Sequence, residues 1–173
     1  MDNHNFYLVE IKNKDILKDE KIYEYILDID RKNKDNGFKG INIIDKIDIL
    51  DDFLNVLNNF LIFIPNDTLL KSQVKFNYGL NYLGFTILKD GEKVYNIFNN
   101  IYNIFRHMED FIYFNGDKLI TKESYKYIIE NNFDKKENYQ KLYKCDILYT
   151  FDKIKKFSLK IKEDNFYIIH LGI

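Results

Sequence analysis

A single α+β or α/β domain with a small mixed sheet of about four or five strands is the fold class this sequence predicts. Three observations predict it. Short apolar runs rich in branched and aromatic residues alternate with longer stretches of helical period. At 173 residues and 21.0 kDa the chain has the length of one domain, and no linker or internal repeat divides it. Hydrophobic residues make up 46% and aromatics 17%, enough apolar matter to build a core despite the 31% charge.

The elements follow in order. Phe6 to Lys12 is rich in aromatic and branched residues and predicts a strand, preceded by a mobile tail that holds His4. Asp15 then caps a helix over Ile16 to Ile29, whose apolar face is interrupted by the charges of Lys18 to Lys21. Arg31 to Gly40 is a polar loop with one aromatic, Phe38, which either tucks back onto the domain or offers a contact to a partner. A helix is expected over Asp45 to Phe63, with Leu50, Phe53, Leu54, Leu57, Phe60, Leu61 and Ile64 on one stripe. In it Asp45, Asp48 and Asp52 project from one side. Together with Asp51 they suit the positive end of the helix dipole, and they also offer an acidic face to a cationic partner. Pro65 ends this helix, and Leu69 to Gly79 is irregular or a short edge strand carrying Tyr78.

Residues Leu83 to Phe114 read as one βαβ unit: an apolar strand, a turn at Lys89 to Gly91, a helix, and a second apolar strand from Phe111. The helix carries Val94, Ile97, Phe98, Ile101, Ile104, Phe105 and Met108 at three- and four-residue spacing. Lys118 to Ile120 pairs briefly, Thr121 caps a short helix to Glu130, and a polar run follows to Gln140. The last helix, Leu142 to Lys162, exposes a row of lysines. Phe166 to Leu171 closes the chain as a strand whose unbroken apolar positions place it inside the sheet.

Composition narrows the chemistry. Alanine and tryptophan are absent while Ile, Lys, Asn, Tyr and Phe abound, the drift expected of an AT-rich genome. A net charge of −1 supplies no field toward nucleic acid or an anionic membrane. The lysine face of the last helix is interleaved with Asp152, Glu163 and Asp164, and arginine occurs only at Arg31 and Arg106, so that face reads as solvated. The single cysteine, Cys145, excludes an internal disulfide, and no apolar run has the length of a membrane span, so a cytoplasmic protein is expected.

No catalytic residue, metal or cofactor is expected. His4, His107 and His170 lack metal-ligand spacing, Cys145 has no base coupled to it in sequence, and the seven glycines never cluster as a phosphate loop. His170 reads as a hydrogen-bonded histidine of the core or an edge. His107 reads as a cation at a helix C-terminus.

The run Tyr82, Leu83, Gly84, Phe85, Thr86, Ile87, Leu88, the Ile-rich helix after it, the late amphipathic helix and the closing Tyr167, Ile168, Ile169, His170, Leu171, Gly172, Ile173 together resemble the small immunity proteins of bacterial contact-dependent inhibition and polymorphic toxin systems. The resemblance covers about the C-terminal half. It implies a cytosolic, non-enzymatic protein that binds the toxic domain of a partner and occludes its active site. It carries over no functional residue, and the near-zero net charge departs from the acidic character common among inhibitors of basic nucleases. On the residues alone, the candidate contact set is Asp45, Asp48, Asp51, Asp52, Phe38 and Tyr78. The alternative is a small enzyme or ligand-binding protein with its site near Lys89, Asp90 and Asn115, at the C-terminal ends of parallel strands.

Overall fold

The computed structural model describes residues 3–31, 37–66, 78–81, 84–115, 118–131 and 139–172. The α+β expectation holds. The first sheet contains β1 (Asn3–Ile11), β2 (Ile41–Leu50), β3 (Gly84–Leu88) and β7 (Phe166–Gly172) in the order β2-β1-β7-β3. The second contains β4 (Phe111–Asn115), β5 (Lys118–Ile120) and β6 (Gln140–Tyr143) in the order β5-β4-β6. Around them lie α1 (Ile22–Arg31), α2 (Asp51–Val56), α3 (Asn58–Leu61), α4 (Gly91–Phe105), α5 (Lys122–Glu130) and α6 (Lys144–Lys160).

β7 lies between β1 and β3, as its unbroken apolar run requires, with every residue from Tyr167 to Leu171 buried. Alternation along β1 divides the interior into two layers. Phe6 and Leu8 join a core with α2, α3, α4 and α6, while Tyr7, Val9 and Ile11 face α1. The 3₁₀ turn Lys14–Lys18 takes the place of the first turn expected of the first helix, because the charged Lys18 to Lys21 segment separates it from α1.

The βαβ unit is corrected. β3 pairs antiparallel with β7, and β4 pairs antiparallel with β5 and β6 in the other sheet, so α4 bridges two sheets instead of returning the chain to the first. The 15-residue α4 covers about 22 Å. Gly91 at its start lies against Ser158 and Ile161, and Phe105 at its end lies against Phe151, so α4 and α6 run antiparallel. Lys144 fixes the far end by donating its backbone N–H to the Asp110 carbonyl and its ammonium to the Met108 carbonyl.

The helix expected over Asp45 to Phe63 is also corrected. Its first part is strand β2, and only residues from Asp51 onward are helical, in the two short pieces α2 and α3. The cause is a β-bulge. Leu8 lies opposite Asp45 and Val9 opposite Ile43, which leaves Ile44 as the extra residue, 51% exposed. Before the bulge Ile41 and Ile43 face α1; after it Ile47 and Ile49 face the opposite core. A two-residue period that changes face at its middle looks helical when read along the chain.

β2 is an edge of its sheet, and the chain protects it there. The backbone N–H of Lys46 is accepted by the Asp45 carboxylate at 2.7 Å, and the Lys46 carbonyl accepts the Lys153 ammonium at 2.7 Å. Both groups are thereby closed to an added strand.

Candidate functional site

The structure separates the residues singled out in the sequence. Because of the bulge, Asp45 faces α6 and pairs with Lys153 at 2.7 Å, whereas Asp48 faces α1 and shares Lys46 with Asp30 at 3.5 and 3.0 Å. Tyr7 donates to the same Asp30 at 2.8 Å, and burial followed by that bond pushes its hydroxyl pKa up. Asp51 binds His4. The expected single acidic face is thus a set of internal pairs spread over two sides of the sheet. Asp52 lies in the first turn of α2. Phe38 is half-buried, its ring edge-on to Tyr25 at 5.9 Å, and Tyr78 is 56% exposed beside Pro65. Along α6, Lys153, Lys155, Lys156 and Lys160 each pair with a carboxylate, as Lys156 does with Asp152 at 2.8 Å.

The site of the alternative reading does not assemble. Lys89 turns its ammonium onto the carbonyls of Ile161, Glu163 and Phe166 at 3.0 to 3.1 Å and so closes the C-terminal end of α6. Asp90 caps α4 by accepting the Lys93 N–H, and the Lys93 ammonium pairs with it at 3.1 Å. Asn115 belongs to the other sheet. Cys145 is exposed at the start of α6 and donates to Asp146 at 3.5 Å.

Two arrangements carry chemistry that the sequence did not disclose. The first is a buried chain of three side chains. His4, read as part of a mobile tail, lies in β1 at 1% exposure. Its Nδ1 lies 2.7 Å from Nε2 of the fully buried His170, the two rings parallel within 5°, and its Nε2 lies 2.7 Å from Asp51 Oδ1. One proton assignment gives each of these ring N–H groups an acceptor: His170 Nε2–H donates to His4, and His4 Nε2–H donates to Asp51. His170 Nδ1 then remains as a bare lone pair, with no hydrogen-bond partner among the described residues, and the His170 and Phe6 ring centroids lie 4.8 Å apart. Only Asp51, with a side chain 40% exposed, opens the chain to water. Spacing gave no hint of it, since 166 residues separate the histidines; the pairing of β1 with β7 brings them together.

Burial holds the His170 pKa well below its ordinary value, and the adjacent His4 acts in the same direction because two imidazolium rings in contact repel. The folded state therefore refuses a proton that the unfolded chain accepts below pH about 6.5. Stability is fully present above that pH and falls as pH drops below it, by up to about 1.4 kcal/mol per unit, until the folded-state pKa is reached. Urea midpoints measured from pH 7.5 down to 5 are expected to show a shallower acid decline in His170→Gln than in the native protein. Parallel profiles would show that His170 titrates alike in both states.

The second arrangement lies outside. The second sheet turns Ile112 and Leu142 toward the core and its other face outward. On that outer face a continuous line of rings runs Tyr143, Phe111, Tyr113, Tyr125, Tyr139, with successive centroids 6.3, 5.7, 3.7 and 5.4 Å apart. None of the five is buried. The Lys141 ammonium lies 3.6 Å from the Phe111 centroid and 4.7 Å from that of Tyr143, and Lys122 lies 5.5 Å from Phe111. α5, which holds Tyr125, buries no residue and exposes Tyr127 and Ile129 at 61% and 51%. A groove bounded by Glu109, Asp110, Phe111, Lys122, Glu123 and Lys126 runs beside the rings.

Among the described residues no helix is long and apolar enough to cross a membrane, and no three or more His, Cys, Asp or Glu side chains gather as metal ligands. Compared with protein-family models, curated proteins and solved structures, the chain matches none.

Proposed function

We propose that this chain is a protein-binding module that holds and neutralises a toxic partner domain, as its resemblance to bacterial immunity proteins implies. The observation that carries the reading is the five-ring aromatic line on the outer face of the second sheet, laced with Lys122 and Lys141. Tyrosine and other rings supply large contact area at little entropic cost, and they dominate the energetics of protein interfaces. The groove beside them carries Glu109, Asp110 and Glu123 against Lys122 and Lys126, a mixed lining that suits a polypeptide of both charges and repels a phosphate chain. Asp45, Asp48 and Asp51 are engaged within the chain, so the contact is assigned to the aromatic layer and not to the acidic residues.

Growth of bacteria expressing the toxic domain proposed as its partner tests the proposal. Co-expression of the native chain is expected to restore growth. A Lys141→Glu, Tyr143→Ser double variant is expected to lose most of that protection, and an Asp48→Lys, Asp52→Lys variant to keep it. Killing that continues in the presence of the native chain would overturn the reading.

A further inference from the structure

At the same end of the first sheet as the histidine chain, on the face toward α1, lies a partly open cavity of about 280 Å³. Phe85 and Leu171 wall it from β3 and β7, and the backbone of Gly84 and Gly172, directly paired across those strands, forms its end. Asn5 lines it from β1. α1 roofs it with Tyr23, Leu27 and Arg31, one stripe at four-residue spacing, while the adjacent Ile22, Ile26 and Ile29 are spent on the core. Among the described residues the lining holds apolar carbon, the polar side chains of Asn5 and of Tyr23, whose hydroxyl donates to Glu24 at 3.3 Å, and one cation. Arg31 is exposed, and among the described residues it forms no ion pair.

From this lining we infer that the cavity is a binding site for a small apolar carboxylate, its hydrocarbon body between Leu27, Phe85 and Leu171 and its carboxyl group on the Arg31 guanidinium. An apolar cavity of about 150 Å³ already accommodates benzene, so a body of two fused rings fits the space here. The planar guanidinium fork matches a carboxylate with two parallel N–H donors, and among the described residues no carboxylate of the lining competes for it. Site and ligand are independent of the partner-binding surface, which lies on the other sheet.

The test is a titration of the full ¹⁵N-labelled chain with indole-3-acetate and, separately, with the uncharged indole-3-acetamide, followed by amide correlation spectra. The Gly84 and Gly172 amides are expected to shift saturably with the acid, and the amide to bind at least about tenfold more weakly, the loss of one charge-assisted contact. Arg31→Met, on an exposed position, is expected to abolish the preference for the acid with the rest of the spectrum in place. Leu27→Trp, which fills the space, is expected to abolish both shifts. No saturable shift at either glycine, equal affinity for the two probes, or a preference that survives Arg31→Met would overturn the inference.

Discussion

Phe151→Ala is expected to cost about 3–5 kcal/mol of folding stability, the range for deleting a buried aromatic ring. Phe151 is fully buried on α6, and its ring meets those of Phe53, Phe98 and Phe105 at 6.1, 6.1 and 5.8 Å. It is therefore the common neighbour of α2, α4 and α6. Alanine there removes the ring from three contacts at once. The three rings that remain are fixed to two helices, Phe53 to α2 and Phe98 and Phe105 to α4, so the hole is expected to stay open, which puts the loss toward the upper end of the range. Denaturant unfolding of the purified variant measures it. A loss under about 1 kcal/mol would mean that the helices collapse into the space and that the packing is looser than described.

The second large effect has a sign that helix propensity gets wrong. Replacing a helical glycine by alanine ordinarily gains up to about 1 kcal/mol. Gly91→Ala is expected to lose about 3 kcal/mol instead. A Cβ at this buried position would lie 2.3 Å from the Ser158 carbonyl oxygen, 3.1 Å from Ile161 Cγ1 and 3.2 Å from Lys162 Cγ. The first of these is backbone and cannot rotate away, so α4 and α6 must part, with the loss typical of overpacking at its upper end. The same parting would loosen Lys89 from the carbonyls of Ile161, Glu163 and Phe166. Thermal and urea unfolding measure the sign directly. A stabilised variant would show that the two helices do not approach so closely.

Much of this architecture was legible where local pattern and tertiary role agree. The stripe Val94, Phe98, Ile101, Phe105 is helical and is buried on one side, and Thr121 accepts the N–H group expected of an N-cap. The unbroken apolar run of β7 announced an interior strand, and it lies between two others. What was misread depended on pairing. Nothing in Phe111 to Asn115 states which sheet it joins, so the strand after α4 was given to the wrong one. The bulge at Ile44 disguised β2, and with β2 went the placement of Asp45 and Asp48. His4 looked like a tail because its first five residues are polar in the main, yet pairing with β7 and the bond to Asp51 draw it into the core. The aromatic line is hidden for the same reason: Phe111, Tyr125 and Tyr143 are distant in sequence and meet only once β6 is laid beside β4.

The most direct measurement of the central claim, the proposal that the outer face of the second sheet is a protein-binding surface, is a calorimetric titration of the native chain and of the Lys141→Glu, Tyr143→Ser variant into the purified toxic domain that the proposal makes its partner. The native chain is expected to bind one to one, and the variant, equally stable, to bind at least about tenfold more weakly. No heat of binding with the native chain, or equal affinity for both, would contradict it.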